Sequence, residues 1–218
     1  MEFKVGIFGM GYVGLPLAIA FGEVLNTVGY DTNVDKIKLL KKNQDINKEI
    51  NSKQFRKSKH LVFSNNYKEL FDCNIFIIAV PTPITKNYKP DLKFLKSACD
   101  KISKILKKDD IVILESTVFP GLTQNYCAKI LEKKSKLKYN VDFYCGYSPE
   151  RINPGDKKHT IKNIKKIVSG STAKITNKIN KLYKRIITAG TIKVKSIEIA
   201  EAAKVIENAQ RDINIAFI

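Results

Sequence analysis

The sequence has 218 residues, of which 44% are hydrophobic, and it carries a formal net charge of +18 at pH 7. This length suffices for one domain with its own core. No apolar run approaches the roughly 18 residues that a membrane-spanning helix requires, so no membrane association is predicted. Nearly all of the basic charge is lysine, with only Arg56, Arg151, Arg185 and Arg211 as arginines. Because no nucleic-acid motif accompanies this charge, nucleic-acid binding is the less favoured interpretation.

The first residues and the cysteines bear on the cellular compartment. The opening stretch MEFKVGIFGM lacks the basic segment and the cleavage site of a secretory signal, so a cytoplasmic location is predicted. Cys73, Cys99, Cys127 and Cys145 lack the close pairing of zinc sites and redox dithiols. We therefore predict reduced thiols and no metal site. Cys145 is also a candidate nucleophile, but its apolar surroundings in VDFYCGY favour a buried strand.

The first two thirds of the chain alternates apolar, β-rich runs with helical patterns. In chain order, strands are predicted at FKVGIFG, NTVGYD, NIFIIAV, DIVILES and VDFYCGYS. Helices are predicted at YVGLPLAIAFGEVL, DKIKLLKK, LKFLKSACDKISKILKK and LTQNYCAKILEKK. This alternation predicts βαβ units and a parallel sheet with helices on both faces. The runs IFIIAV and IVIL are apolar throughout, as in strands covered on both sides.

The remaining segments complete the predicted domain. The polar stretch NQDINKEINSKQFRKSKH is predicted to be an irregular surface connection. Further along, KKIVSGST predicts a strand, AKITNKINKLYKRII a helix and GTIKVKS another strand, before a terminal helix. Residues 1–196 are therefore predicted to form one α/β domain with a Rossmann-like, doubly wound parallel sheet.

A glycine-rich turn lies between the first predicted strand and the first predicted helix. Its G-x-G-x-x-G pattern is formed by Gly9, Met10, Gly11, Tyr12, Val13 and Gly14. The first glycine allows a tight turn, the second lets the backbone approach a pyrophosphate, and the third lets helix and strand pack closely. The helix N-terminus then offers unpaired N–H groups to the phosphates. This turn predicts a dinucleotide site.

Asp31 strengthens that prediction. It ends the next strand, near the expected spacing of about 20 residues from the last glycine. A carboxylate there accepts hydrogen bonds from ribose hydroxyls and repels a 2′-phosphate, which favours NAD over NADP. Lys36 lies close enough in sequence to soften the repulsion. A glycine-rich turn beside an unrelated surface aspartate is the alternative interpretation.

Three later loops also follow predicted strand ends. They are VPTPI, STVFPG and SPERINPGD. Ligands in open parallel sheets bind outside the carboxyl ends of the strands. The hydroxyl, proline and glycine residues of these loops hold irregular backbone and present donors, so we expect them to line a ligand site.

Residues 200–218, AEAAKVIENAQRDINIAFI, predict a helix with two distinct faces. Apolar residues recur every three or four positions, at Ala202, Ile206, Ala209, Ile213 and Ala216. Lys204, Asn208 and Arg211 share this spacing on an adjoining face. Because no stop signal follows, we expect the helix to belong to a longer protein, with a frayed natural C-terminus as the alternative.

Together these motifs resemble the UDP-glucose/GDP-mannose dehydrogenase family of nucleotide-sugar 6-dehydrogenases. The stretches ESTVFPG, YSPERINPGDKKHT, ITAGT and AEAAKVIENAQRDINIAF are most similar to its UDP-N-acetylhexosamine branch. The resemblance covers the whole chain. It implies NAD-dependent oxidation of the sugar C6 alcohol to a carboxylate in two hydride transfers, through a thiohemiacetal and a thioester on a cysteine. Such uronic acids serve surface polysaccharides such as capsules.

The resemblance also implies roles for single residues. The adenosine half of NAD would be held by Gly9, Met10, Gly11, Tyr12, Val13, Gly14, Asp31 and Lys36. The nicotinamide side would be lined by Val80, Pro81, Thr82, Ser116, Thr117 and Val118. The sugar would face Glu150, Arg151, Ile152, Asn153, Pro154, Lys204, Asn208 and Arg211. Thr117 would help place the hydrolytic water, Glu150 would act as acid and base, and Lys204 and Asn208 would approach the C6 oxygen.

The sequence departs from the family pattern in two respects. Pro154 stands where the UDP-glucose branch carries a second acidic residue, which weakens the alternative of a UDP-glucose 6-dehydrogenase. The Gly-Gly-His-Cys-type loop of the nucleophile and the C-terminal UDP-binding domain are absent. Residues 197–218 are similar to the start of the central connecting helix through which family members form homodimers. We expect the chain to bind NAD without completing turnover, and a non-catalytic NAD-binding scaffold is the other hypothesis.

Overall fold

A mostly parallel eight-stranded sheet organises the part of the chain that the computed structural model describes, residues 2–150 and 161–218. Its strands are β1 Val5–Phe8, β2 Thr27–Tyr30, β3 Leu61–Ser64, β4 Ile75–Ile78, β5 Ile111–Leu114, β6 Tyr144–Tyr147, β7 Lys166–Gly170 and β8 Thr191–Lys193. Their order is β3-β2-β1-β4-β5-β6-β7-β8. Strands β1 to β6 are parallel, whereas β7 runs antiparallel to β6 and parallel to β8. The predicted Rossmann-like class is confirmed, with two reversed strands at one edge.

The α-helices of the described residues lie between these strands in the sequence, except α7, which follows β8. They are α1 Gly14–Gly22, α2 Val34–Lys41, α3 Ser52–Lys57, α4 Lys93–Ile102, α5 Lys129–Ser135, α6 Ala173–Tyr183 and α7 Ile197–Phe217. A 3₁₀ turn spans Tyr67–Leu70, and a π-helical turn, Thr123–Ala128, leads directly into α5. None of the helices in these ranges is both long and apolar enough to cross a membrane.

Two apolar layers cover the two faces of the sheet. In one layer, helices α1 and α6 contribute buried residues such as Phe21 and Ile179. In the other, α4 and the π-helical turn contribute residues such as Leu95 and Cys127. Every residue of β4 and β5 is buried between the layers. The continuous apolar runs in these strands are thus explained by burial on both sides.

The polar stretch that the sequence predicted to be irregular contains a helix. Asn51 caps α3 because its side chain accepts hydrogen bonds from the Lys53 and Gln54 N–H groups, and the Gln54 side chain accepts one from the Asn51 N–H. Phe55 is buried on the inner side of this helix. The edge strand β3, which follows, was also missed, because it is four residues long and leaves Val62 exposed.

The strand order places a crevice at the carboxyl ends of the central strands. Strand β1 lies between β2 and β4, so successive connections leave β1 in opposite directions. Such a switch point opens a ligand crevice outside the carboxyl ends of the strands. The loops after β1, β2, β4, β5 and β6 all begin at this end of the sheet. The first turns of α7 pack against β6 and β7 beside them.

Candidate functional site

A cleft of about 520 Å³ lies at the switch point. Its lining comes from seven separate segments of the chain: Gly9, Gly11, Tyr12, Val13, Asp31, Lys36, Asn47, Ala79, Val80, Pro81, Thr82, Glu115, Ser116, Thr117, Glu150 and Lys204. The structure therefore brings most of the predicted cofactor residues and two of the predicted sugar-facing residues to one place. The individual roles of these residues stay predictions.

The glycine turn fits a bound pyrophosphate. Gly9 has φ +97°, and a Cβ there would lie 2.8 Å from the Ala79 carbonyl oxygen. A Cβ on Gly14 would lie 1.8 Å from the Gly9 carbonyl oxygen, so α1 can only start this close to β1 with glycine. At Gly11 a Cβ would meet no atom within 4 Å. The turn is therefore closed by its outer glycines and open to the cleft at the middle one, as a phosphate cradle requires.

Asp31 is held rigidly at the carboxyl end of β2. Its Oδ2 accepts hydrogen bonds from the Met10 N–H at 2.9 Å and from Lys36 Nζ at 3.2 Å, and its Oδ1 accepts one from the Asn33 N–H at 2.9 Å. The carboxylate thus joins the glycine turn to the start of α2. Lys36 pairs with Asp31 directly, which partly neutralises the charge that would repel a 2′-phosphate.

The loops after β4 and β5 are tied together on the opposite side of the cleft. Thr82 Oγ1 donates a hydrogen bond to the Thr117 carbonyl oxygen at 2.7 Å, and Ser116 Oγ donates one to the Val80 carbonyl oxygen at 2.6 Å. These bonds satisfy two carbonyl groups of irregular backbone. They fix the shape of the wall that the sequence predicted to face the nicotinamide.

One part of the cleft lining is charged. Lys204, which is 9% exposed on α7, donates a hydrogen bond from Nζ to the Glu150 carbonyl oxygen. The Glu150 carboxylate accepts a hydrogen bond from Lys166 Nζ at 3.2 Å, and Lys166 also pairs with Glu115 at 2.9 Å. Burial raises the pKa of Glu115 to about 7, although the Lys166 ammonium opposes that rise.

Glu201 links α7 to the loop after β5. This fully buried carboxylate accepts hydrogen bonds from the Gly121 N–H at 2.5 Å, the Thr123 N–H at 2.9 Å and Thr123 Oγ1 at 2.6 Å. Burial raises the pKa of Glu201, and the three donors oppose the rise. Because Lys204 lies one turn further along α7 and Thr117 lies in the same loop, Glu201 fixes these two predicted site residues relative to each other.

Some predicted site residues lie away from the cleft surface. Met10 and Val118 are buried in the core, and Met10 contributes only its backbone N–H, to Asp31. Asn208 lies one turn beyond Lys204 and accepts a hydrogen bond from the Arg211 guanidinium at 2.8 Å. Met10, Val118, Asn208 and Arg211 do not belong to the cleft lining that the described residues form. The predicted sugar-facing residues Arg151, Ile152, Asn153 and Pro154 lie outside the described residues.

Sequence reasoning missed four residues at the cleft. Glu115 directly follows a buried strand, so the strand-end rule could have found it. Asn47 belongs to the stretch predicted as a surface connection, where the Asp45 carboxylate accepts hydrogen bonds from nearby N–H groups, including that of Asn47 at 3.0 Å. Ala79 follows β4 and carries no chemical signal. Lys166 reaches the site only because β7 is reversed.

The cysteines are remote from this chemistry. All four thiols are buried, and Cys145 lies within β6, which confirms its interpretation as a buried strand residue. Burial raises the pKa of the Cys145 thiol well above its usual value, and so opposes formation of a thiolate nucleophile.

Comparison with known proteins agrees with this geometry. The model of the UDP-glucose/GDP-mannose dehydrogenase family, NAD binding domain, matches residues 3–214. A UDP-N-acetyl-D-glucosamine 6-dehydrogenase from Pseudomonas aeruginosa is 52% identical over 217 residues, covering 100% of this chain and 51% of that protein. A protein of the same name from Salmonella typhi is 51% identical over 217 residues, with the same coverage.

A solved structure gives the same result. The UDP-D-ManNAc dehydrogenase from Pyrococcus horikoshii matches with a TM-score of 0.91 at 32% identity, covering 99% of this chain and 52% of that one. The chain spans about half the length of the curated relatives it matches. Since the family match includes the glycine turn, Asp31 and Lys204, the chain belongs to the UDP-glucose/GDP-mannose dehydrogenase family and carries its NAD-binding domain, with NAD as the cofactor.

Proposed function

We propose that this chain is the NAD-binding half of a nucleotide-sugar 6-dehydrogenase that oxidises the C6 hydroxyl of a UDP-N-acetylhexosamine to the uronic acid. The observation that carries the proposal is a single cleft lined by the glycine turn and Asp31 on one side and by Glu150 and Lys204 on the other. Two relatives at 52% and 51% identity are named for UDP-N-acetyl-D-glucosamine, which is therefore the first substrate to test.

The cofactor side of the proposal uses backbone and one carboxylate. The amides of the glycine turn bind the pyrophosphate, and Asp31 accepts hydrogen bonds from the adenosine ribose. The tied loops that carry Thr82 and Thr117 line the nicotinamide side. When bound, NAD⁺ would supply the hydride acceptor, with one NAD⁺ reduced in each of the two oxidation steps.

The sugar side of the proposal uses Lys204, Glu150 and Thr117. The buried Lys204 ammonium stabilises the developing alkoxide at C6, and the loss of one such preorganised donor typically costs roughly 10²–10³ in rate. Glu150 takes up and returns the proton, while Thr117 orients the water that hydrolyses the acyl intermediate. Asn208, one turn from Lys204, is proposed as a second donor to the same oxygen.

Covalent capture of the aldehyde requires an accessible thiol. Because all four thiols of the chain are buried, the proposal assigns the nucleophile to a cysteine outside these 218 residues. That cysteine forms the thiohemiacetal, which is oxidised to the thioester and then hydrolysed. We accordingly expect this chain alone to bind NAD without turnover. Homodimer formation through α7, a cytoplasmic location and a role in surface polysaccharide synthesis belong to the same proposal.

Isothermal titration calorimetry tests the cofactor site. We expect NAD⁺ to bind the wild-type chain and to bind Asp31→Ala about 10–100-fold more weakly, because hydrogen bonds to a charged acceptor contribute about 1.5–3 kcal/mol. Asp35→Ala is the matched control, since Asp35 also pairs with a lysine, Lys38, at 3.2 Å, but on the exposed surface of α2. Equal affinity in the two variants would contradict the assignment of Asp31.

The catalytic half of the proposal needs a separate test. The coding region beyond Ile218 is expected to encode a glycine-flanked cysteine and a nucleotide-binding domain. The protein so encoded should form NADH with UDP-N-acetyl-D-glucosamine and not with UDP-glucose. An in-frame stop codon with intact NAD⁺ binding would support the scaffold hypothesis, and turnover of UDP-glucose would support the other branch.

A further inference from the structure

A lysine that the proposed reaction does not use is buried beneath the charged end of the cleft. Lys166, the first residue of β7, is 5% exposed. Its Nζ lies 2.9 Å from Glu115 Oε2, 3.2 Å from Glu150 Oε2 and 3.3 Å from the Pro149 carbonyl oxygen. Burying an ammonium is costly unless it is paired and hydrogen-bonded. Three acceptors within hydrogen-bond distance meet that requirement.

The reversal of β7 brings this lysine to the cleft. Strands β6 and β7 pair antiparallel with Gly146 opposite Gly170 and Tyr147 opposite Ser169. Continued beyond the ladder, the same register puts Lys166 opposite Glu150. If β7 were parallel to β6, its last residue would lie at the carboxyl ends of the other strands. Because β7 is antiparallel, its first residue lies there instead. The local topology therefore sets one cation among the carboxyl ends of the parallel strands.

Among the described residues, the charged and polar groups around Lys166 come from four other parts of the chain. Glu115 follows β5, and its second oxygen, Oε1, accepts a hydrogen bond from the Tyr183 hydroxyl on α6. The Lys166 Nζ lies 5.3 Å from the centroid of the Tyr183 ring. Glu150 follows β6, and its carbonyl oxygen accepts the hydrogen bond from Lys204 on α7. Glu150 is thus held at its backbone by one lysine and at its carboxylate by another.

The position of the Lys166 ammonium affects the charge state of the two carboxylates beside it. Lys166 faces two carboxylates, Glu115 and Glu150, whose side chains are 0% and 10% exposed. Without the ammonium, two poorly solvated carboxylates would lie close together, and such pairs retain a proton. A protonated Glu150 could not accept a proton from the substrate.

We propose that Lys166 is a positioning residue for Glu150, and that it holds the carboxylate as an anion directed to the cleft so that Glu150 can act as the base. This inference rests on the proposed function, because it assigns a purpose to the charge state of Glu150. Glu115 accepts the second hydrogen bond from Lys166 Nζ and is itself held by the Tyr183 hydroxyl.

Carboxyl ¹³C NMR of the glutamate-labelled chain tests the inference directly. Glu115→Gln serves as the background, since it leaves one carboxylate on Lys166 and removes coupled titration of the pair. In that background, Lys166→Met is expected to raise the titration midpoint of Glu150 by about one pH unit or more. Lys162→Met is the matched control, because it breaks a pair with Glu23 at 2.6 Å that lies outside this cluster. The Glu150 signal is assigned by its loss in Glu150→Gln.

The outcomes separate this inference from the proposed function. An unchanged Glu150 midpoint in folded Glu115→Gln/Lys166→Met would overturn it, as would an equal rise in the Lys162→Met control. If the double variant does not fold, Glu115→Gln/Lys166→Gln takes its place, because the amide keeps a hydrogen-bond donor but removes the charge, and an unchanged Glu150 midpoint there would overturn the inference. The titrations need neither cofactor nor turnover, so a failure of NAD⁺ binding would be seen separately by calorimetry.

Discussion

The two sides of the cleft are built in different ways. The cofactor side consists of backbone from one short turn, Gly9–Gly14, fixed by the carboxylate at the end of the neighbouring strand. The charged side joins side chains from four distant parts of the chain: Glu115, Glu150, Lys166 and Lys204. The glycine turn leaves little room for added atoms, either within the fold or in the space left for a ligand, whereas the charged side depends on the pairing of its ammonium and carboxylate groups. The two sides should therefore fail differently when they are mutated.

The largest effect is expected at the glycine turn. In Gly14→Ala the new methyl group would lie 1.8 Å from the Gly9 carbonyl oxygen, which forces α1 away from β1. We expect a loss of about 3 kcal/mol or more in the free energy of unfolding, measured by urea denaturation, with NAD⁺ binding abolished.

Gly11→Ala sharpens the comparison within the same turn. Its methyl group would meet no protein atom within 4 Å, so the free energy of unfolding should change by less than about 0.5 kcal/mol. NAD⁺ affinity should still fall about tenfold or more, because the methyl group would occupy the space that we propose for the pyrophosphate. Equal stability losses in the two variants would contradict this division of roles.

The next largest effect is expected at Glu201, which joins α7 to the loop after β5. In Glu201→Gln an amide group replaces one acceptor oxygen and faces a backbone N–H, leaving a buried donor unpaired. We expect a loss of about 2–3 kcal/mol in the free energy of unfolding by thermal or urea denaturation. Glu198→Gln, in the first turn of the same helix, should cost less than about 1 kcal/mol. Comparable losses would show that Glu201 acts only through its charge near the helix start.

A pH dependence is expected from the charged side. The pKa of Glu115 rises from 4.5 to about 7, so the folded state binds this proton more tightly than the unfolded state does. Its contribution to stability is therefore complete below about pH 4.5 and is lost as the pH rises through about 7, on the order of 1–3 kcal/mol. The Lys166 pKa is also raised, because its two carboxylates outweigh the desolvation that lowers it, and its contribution is lost only above about pH 10.5.

Urea denaturation between pH 4 and pH 8 measures this dependence. Glu115→Gln should remove most of the decline in stability, because the amide does not titrate. Glu23→Gln, which changes a partly exposed pair with Lys162, is expected to leave the decline in place. A decline that persists in Glu115→Gln would mean that other groups titrate in this range.

The smallest effect is expected at Lys36. Its removal leaves the Asp31 charge without its partner at 3.2 Å, so repulsion of a 2′-phosphate should increase. In Lys36→Ala we expect the ratio of NAD⁺ to NADP⁺ affinity to rise about 3–10-fold, measured by competition calorimetry. Lys38→Ala, which frees the exposed Asp35, should leave the ratio unchanged.

The sequence located the glycine turn and Asp31, which line one side of the cleft, because that side is formed by local segments; their role in holding the cofactor stays a prediction. Spacing alone identified the glycine turn and Asp31, and apolar runs identified the central strands. The charged side was only partly predictable. Helical spacing singled out Lys204, and a resemblance gave its role, whereas Lys166 depends on the direction of β7, which no local pattern encodes.

Helix α7 shows what periodicity could predict and what it could not: it predicted the helix and the apolar stripe, but not which face is buried. The apolar repeat that includes Ile206 and Ile213 remains largely exposed in the chain as described. The buried face is instead Ile197, Ala200, Glu201 and Lys204, which follows helical spacing but contains two charged residues. These charges are buried because distant partners, Gly121 and Thr123 for Glu201 and the Glu150 carbonyl for Lys204, satisfy them. Partners that lie far away in sequence cannot be recognised from a hydrophobic pattern.

The arrangement of the cysteines gives the molecule an internal reporter. Cys73, Cys99, Cys127 and Cys145 all lie in the same apolar layer, the one that includes α4 and the π-helical turn. A thiol-specific reagent will therefore label the chain only when that layer opens, while movements confined to the layer of α1 and α6 leave no covalent trace. Labelling rates counted by mass spectrometry can thus distinguish partial opening of one face of the sheet from complete unfolding, without any engineered probe.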